Sequence, residues 1–204
     1  MNVKNYIEES LMKLKSLGIN NLNNNDEIIN SILQMPSDML NDLEKSQILG
    51  LVLDNIGGSE YNIQNKEYKL FSNNIYSFDT EVMDIDMMYT IFLNFINNLS
   101  KDELKISNIS EDNSNINYEE GTGVKTVIFK LNDKEYKYEA KVYYDWFDME
   151  IVGYINRILL ENNSNKFLYV TTDGWQNCIL FYNTEQWAEK FNDNFTEIHI
   201  ERPC

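Results

Sequence analysis

VKTVIFKLNDKEYKYEAKVYY, residues 124–144, decides the fold. Apolar and polar residues alternate on both sides of Asn132-Asp133-Lys134, the pattern of an antiparallel hairpin with one face turned to a core. In its second half Tyr136, Tyr138, Ala140, Val142 and Tyr144 share one face, and Lys137, Glu139, Lys141 and Tyr143 share the other. The period then changes. In DWFDMEIVGYINRILLE, residues 145–161, Ile151, Val152, Ile155, Ile158 and Leu159 recur at helical spacing, which predicts a helix over 149–161. Asp145 or Asp148 stands where a carboxylate accepts hydrogen bonds from the first turn of that helix and complements its dipole. The functional reading of the same junction is that Tyr143, Trp146, Asp145 and Asp148 form an exposed aromatic and acidic patch.

Working outward, KFLYVTT (166–172) and CILFY (178–182) flank DGWQN, a second hairpin with Asp173 and Gly174 supplying the turn. TEQWAEKFND (184–193) reads as a short amphipathic helix capped by Thr184, and FTEIHIE (195–201) as a final strand. Upstream, ELKISNIS (103–110) reads as a strand followed by the acidic loop EDNSNINYEEGTG, and DIDMMYTIFLNFINNL (84–99) as a helix with a broad apolar face.

The first third predicts three helices. Tyr6, Ile7, Leu11, Leu14 and Leu17 recur up to Gly18; DEIINSILQM (26–35) stops before Pro36; and SDMLNDLEKSQILGLVLDNIGG (37–58) begins at Ser37 as N-cap and closes at Gly57 and Gly58. The expected organisation is a helical N-terminal region (1–59), a connecting segment (60–78) containing the strand-like YNIQNKEYKLF, and an α+β domain (79–204), able to pack as one unit. The expected fold is α+β, with N-terminal helices followed by a mainly antiparallel sheet that carries helices on one face.

Charge narrows the function. Asp and Glu number 33 against 17 Lys plus Arg, a formal net charge of -16, and only Arg157 and Arg202 carry a guanidinium. Nucleic-acid binding needs clustered cations and is not expected. A basic partner is favoured instead, because long-range attraction speeds encounter; solubility alone is the simpler account of the same excess. Cys178 and Cys204 form no disulfide framework, which fits a reducing compartment. Acids interrupt the N-terminal residues, which therefore do not read as a signal peptide, and no run of about 18 apolar residues predicts a membrane span. A soluble cytoplasmic protein is expected.

Catalytic chemistry finds little support. Asp79, Glu81, Asp84 and Asp86 could ligate a hard cation, but no glycine turns the chain around a point and the stretch runs into a helix. No metal or cofactor is expected. The single histidine, His199, reads as a solvated strand residue and Cys178 as a small buried hydrophobe, so a Cys178, His199, Asp173 triad lacks an activated thiolate. The glycines of NIGGSE and EEGTGVK read as turns.

AKVYYDWFD (140–148) and FLYVTTDGWQNCILFYNTEQWAEKF (167–191) resemble segments of small acidic immunity proteins of bacterial polymorphic or contact-dependent toxin systems, over about residues 79–195. The resemblance implies a cytoplasmic, non-enzymatic protein that binds and blocks a toxin domain. It carries over no functional residue. From the residues themselves, Asp145, Trp146, Asp148 and Trp175 are the expected partner-binding side chains, with Glu119 and Glu120 as steering charges. Two alternatives stand beside this: a carboxylate-dependent hydrolase in which Asp145 and Asp173 converge, and a scaffold subunit that packs its helices 3–56 on another chain.

Overall fold

A computed structural model describes residues 2–20, 24–62, 64, 65, 67–82 and 84–204. Seven helices and nine strands occur among them, all strand pairs antiparallel, in an α+β fold. The N-terminal part holds α1 (Val3–Ser16), α2 (Asn25–Leu33), α3 (Ser37–Asp42) and α4 (Lys45–Gly57), followed by a small hairpin of β1 (Ser59–Asn62) and β2 (Glu67–Leu70). Then come β3 (Tyr76–Asp79), α5 (Met88–Leu99), β4 (Ser107–Asp112) and β5 (Ile116–Asn117). The long hairpin is β6 (Thr122–Leu131) and β7 (Lys134–Tyr143), after which α6 (Glu150–Glu161), β8 (Lys166–Thr172), β9 (Asn177–Thr184) and α7 (Glu185–Asn194) complete the chain.

The long hairpin pairs throughout, from Thr122 opposite Tyr143 to Leu131 opposite Lys134. Asn132 and Asp133 both take positive φ (49° and 67°), the two-residue turn whose twist matches that of the strands. Val127, Phe129, Leu131, Tyr136, Tyr138 and Ala140 are buried, and Tyr138 lies against Tyr89 of α5 and Tyr154 of α6. Helices thus cover one face of this hairpin, while Lys137, Glu139 and Lys141 on the other are exposed. β4 and β5 pair in succession along the free edge of β6.

The central sheet, in the order β3-β9-β8, is covered on both faces, so Cys178, Ile179, Leu180 and Phe181 are buried in succession. Phe92 and Phe95 of α5 reach Tyr76, and Trp187 and Phe191 of α7 reach Phe181. On α4, a Cβ at Gly50 would lie 2.6 Å from the Asp173 carbonyl oxygen, so a residue without one lets the β8–β9 turn rest on the helix. One hydrophobic cluster runs from Ile7 of α1 to Ile200.

Several elements differ from the sequence expectation. The helix expected over 37–58 is two, because Leu43 is extended and Gln47 returns a side-chain bond to the Glu44 N–H (3.0 Å), starting α4 afresh; Ser37 is a helical residue of α3 behind Pro36, not its cap. The helix expected from Asp84 begins at Met88, after a turn in which the Asp84 carboxylate accepts from the Asp86 and Met87 N–H groups. The strand expected over 103–110 begins at Ser107 and runs on to Asp112. Residues 195–201 form no strand: only Glu201 pairs, with Val170, although Ile198 and Ile200 are buried and His199 is exposed as the alternation implied. No described helix is long and apolar enough to cross a membrane.

Candidate protein-binding surface

At the open end of the long hairpin the chain turns sharply. Tyr144, in phase with the core face of β7, takes φ 50° and donates its N–H to the Gly121 carbonyl (2.7 Å). Its ring packs on Gly121, where φ is 62° and a Cβ would sit 2.3 Å from the ring. Tyr144 is therefore exposed, contrary to its expected place in the core. The next residues cross the segment after β3: Val82 N–H donates to the Asp145 carbonyl (2.9 Å) and Phe147 N–H to the Thr80 carbonyl (2.8 Å).

This end gathers exposed apolar area. Of the nine large hydrophobic side chains exposed among the described residues, Tyr118, Val124, Tyr143, Tyr144 and Trp146 belong to it. Tyr143 and Tyr118 are the most open, at 63% and 60%, and the Tyr143 and Tyr144 rings meet edge to face at 5.2 Å. Asp145 lines a depression of about 170 Å³ with Tyr118 and Tyr144. The Tyr118 hydroxyl donates to the Asp86 carboxylate (3.1 Å). Glu119 and Glu120 are exposed in the loop before β6, their N–H groups held by the Asn117 side-chain oxygen (3.2 and 3.3 Å). Among the described residues, none of Asp86, Glu119, Glu120 and Asp145 is in an ion pair.

Trp146 and Trp175 come together although 29 positions apart (175 minus 146) in the sequence. They line one groove of about 530 Å³, whose wall also holds Met149, Val170 and Gln176, and are 39% and 46% exposed. Asp148 is placed otherwise. Its carboxylate accepts from the Tyr138 hydroxyl (2.9 Å), the Lys141 N–H (2.9 Å) and the Glu150 N–H (3.1 Å), the last being the bond to the first turn of α6 expected from Asp145 or Asp148. It serves the fold and has little left for a partner. Burial, followed by the hydrogen bond to Asp148, holds the Tyr138 hydroxyl protonated well above the usual tyrosine range.

The other chemistry weighed from the sequence is also located. Cys178 and His199 both line the tryptophan groove, but burial pushes the Cys178 thiol up to about 12, where it is no nucleophile at neutral pH. Asp173 is buried in the β8–β9 turn, and one carboxylate oxygen accepts the Trp175 and Asn177 N–H groups (2.9 and 3.2 Å). Asp145 lies at the hairpin end instead. Among the described residues no three His, Cys, Asp or Glu side chains converge as metal ligands would.

Tyr118, Tyr144 and Asp86 are not among the partner-binding residues expected from the sequence. Tyr118 sits in the stretch that reads as an acidic loop. Only the glycine at 121 hints at a ring seated against the backbone there. No protein-family model, curated protein or solved structure matches this chain.

Proposed function

We propose that the protein binds a basic protein through the aromatic and acidic end of its long hairpin. In this reading it is a non-enzymatic, cytoplasmic inhibitor that neutralises a bacterial toxin domain. The observation that carries the reading is the cluster of exposed rings, Tyr118, Tyr143, Tyr144 and Trp146, set among the carboxylates of Asp86, Glu119, Glu120 and Asp145, which no lysine or arginine pairs among the described residues. Rings of this kind supply short-range affinity with little loss of conformational freedom, and unpaired acids steer a cationic surface toward them. The formal charge of -16 acts in the same direction at longer range.

The test is retention of a partner from lysate of the source organism on immobilised wild-type protein and on the Tyr143→Ala/Trp146→Ala variant, followed by kinetics with the purified partner. A basic polypeptide held by wild type and lost by the variant is expected, with Trp146→Ala costing about 2 kcal/mol through faster dissociation. Glu119→Gln/Glu120→Gln should lower the association rate and flatten its salt dependence. Co-expression should relieve growth arrest caused by the partner. A partner held equally by the double variant would remove this surface from the reading, and binding without relief of toxicity would remove the inhibitor.

A further inference from the structure

Phe147, next to Trp146, lines a separate groove of about 370 Å³ between β3 and α5. Its floor is one connected set of rings: Tyr76 stacks on Phe78 (5.2 Å), Phe78 meets Phe147 edge to face (5.1 Å), and Phe147 packs on Phe92 (4.8 Å). Phe95 and the half-buried Tyr61 extend the same lining. Side chains interlocked in this way make a firm apolar floor that does not close by simple rotamer change.

The mouth has the opposite character. Asp79, Glu81 and Asp84 stand on it, all exposed. Both Asp79 carboxylate oxygens accept from the Gln176 side-chain amide (2.9 Å each), which also reaches Glu81 (3.2 Å). The Asp84 carboxylate is turned to backbone N–H groups. These partners are neutral, and among the described residues no lysine or arginine pairs with any of the three acids. Three negative charges are thus positioned but not neutralised beside an aromatic floor.

We infer that this groove binds a small amphiphilic organic cation, an aryl- or alkylammonium whose apolar body lies on the rings and whose ammonium meets Asp79 and Glu81, with Asp84 adding its charge from the rim. Charge complementarity fixes the sign of the ligand, and the rings add attraction for a cation held near their faces. The volume, about 370 Å³, is that of a small-molecule site. The inference rests on no protein partner, so it stands or falls separately from the hairpin surface.

The experiment is a methyl-detected NMR titration of the full chain with phenethylamine, 2-phenylethanol, 3-phenylpropanoate and N-acetyl-lysine amide. Saturable shifts of the Ile91 and Met88 methyls are expected with phenethylamine, about tenfold tighter than with the alcohol, and none with the carboxylate. Asp79→Asn/Glu81→Gln should reduce that preference to about twofold while leaving the alcohol unchanged. Thermal melting checks that the variant is folded, and the exposed single substitution Glu81→Gln, expected to lower the preference part of the way, replaces it if not. Equal binding of amine and alcohol, shifts confined to distant methyls, or no saturable shift would overturn the inference. Binding of the lysine amide as tight as that of phenethylamine would do the same, since the groove would then read a protein side chain.

Discussion

Two regions of the protein take ionisable side chains out of water, and they do it differently. On the covered face of the long hairpin, Lys125 and Glu111 are enclosed together, their side chains 0% and 3% exposed and 2.9 Å apart. Lys125 also donates to the Ile85 carbonyl and lies 5.6 Å from the centre of the Tyr89 ring. Between α4 and the central sheet, the half-buried Asp54 has neutral donors instead, the Ser77 hydroxyl (2.5 Å) and the Asn177 amide (2.8 Å). Burial raises its carboxyl above the usual range against the pull of those two bonds, and the charges of Asp173 and Asp79 raise it further. The pair specifies position, because an ammonium on β6 finds its counter-charge only if β4 lies in register. The lone carboxylate makes stability depend on pH.

Breaking the pair should give the largest effect. Lys125→Met leaves Glu111 enclosed without a counter-charge and should cost about 3–5 kcal/mol in urea unfolding, whereas Lys125→Met/Glu111→Leu should regain most of it. A single variant as stable as wild type would mean that the pair is not enclosed. Next, Gly50→Ala drives a methyl against the Asp173 backbone and should cost about 1–3 kcal/mol by overpacking, read by the same unfolding curves.

Asp54→Asn sharpens the other side of the contrast. With its folded pKa raised, Asp54 holds a proton in the folded state at pH values where the unfolded chain has lost it. Its stabilising contribution is full below the unfolded value of about 3.9 and is lost as pH rises through the raised folded value. The variant should therefore melt above wild type at neutral pH, and the gap should close on acidification toward about pH 4. A gap that widens in acid would reverse the assignment. Smallest of all, Tyr143→Ala and Glu120→Gln should each leave stability within about 0.5 kcal/mol of wild type, as exposed side chains with few native contacts do.

What could be read from the sequence divides along the same physical lines. Both hairpins, the helix after 148 and the Thr184 cap follow from local period and turn chemistry, which act within a few residues. Lys125 is in phase with Val127 and Phe129, yet its burial depends on Glu111, supplied by another strand. Tyr144 is likewise in phase with the core, and one left-handed residue turns it outward. Trp146 and Trp175 are each expected from the sequence to bind a partner, but their shared groove is a product of the crossing of 80–82 with 145–147. The bond that the Glu44 N–H donates to Gln47 splits the third helix, but glutamate is not a preferred capping residue, so the sequence does not announce the break.

The outer edge of β7 holds one more consequence. Its Lys141 N–H is taken by the Asp148 carboxylate and its Lys137 carbonyl by the Tyr154 hydroxyl (2.9 Å), while Asn156 occupies both the N–H and the carbonyl of Leu168 on the edge of β8. A strand arriving from a neighbouring molecule finds these sites filled and must first displace a side chain anchored on α6 or ahead of it. The helix that completes the core thus also occupies part of the edges on which a fibril would grow, a useful property for a chain whose hairpin ends in a cluster of bare aromatic rings.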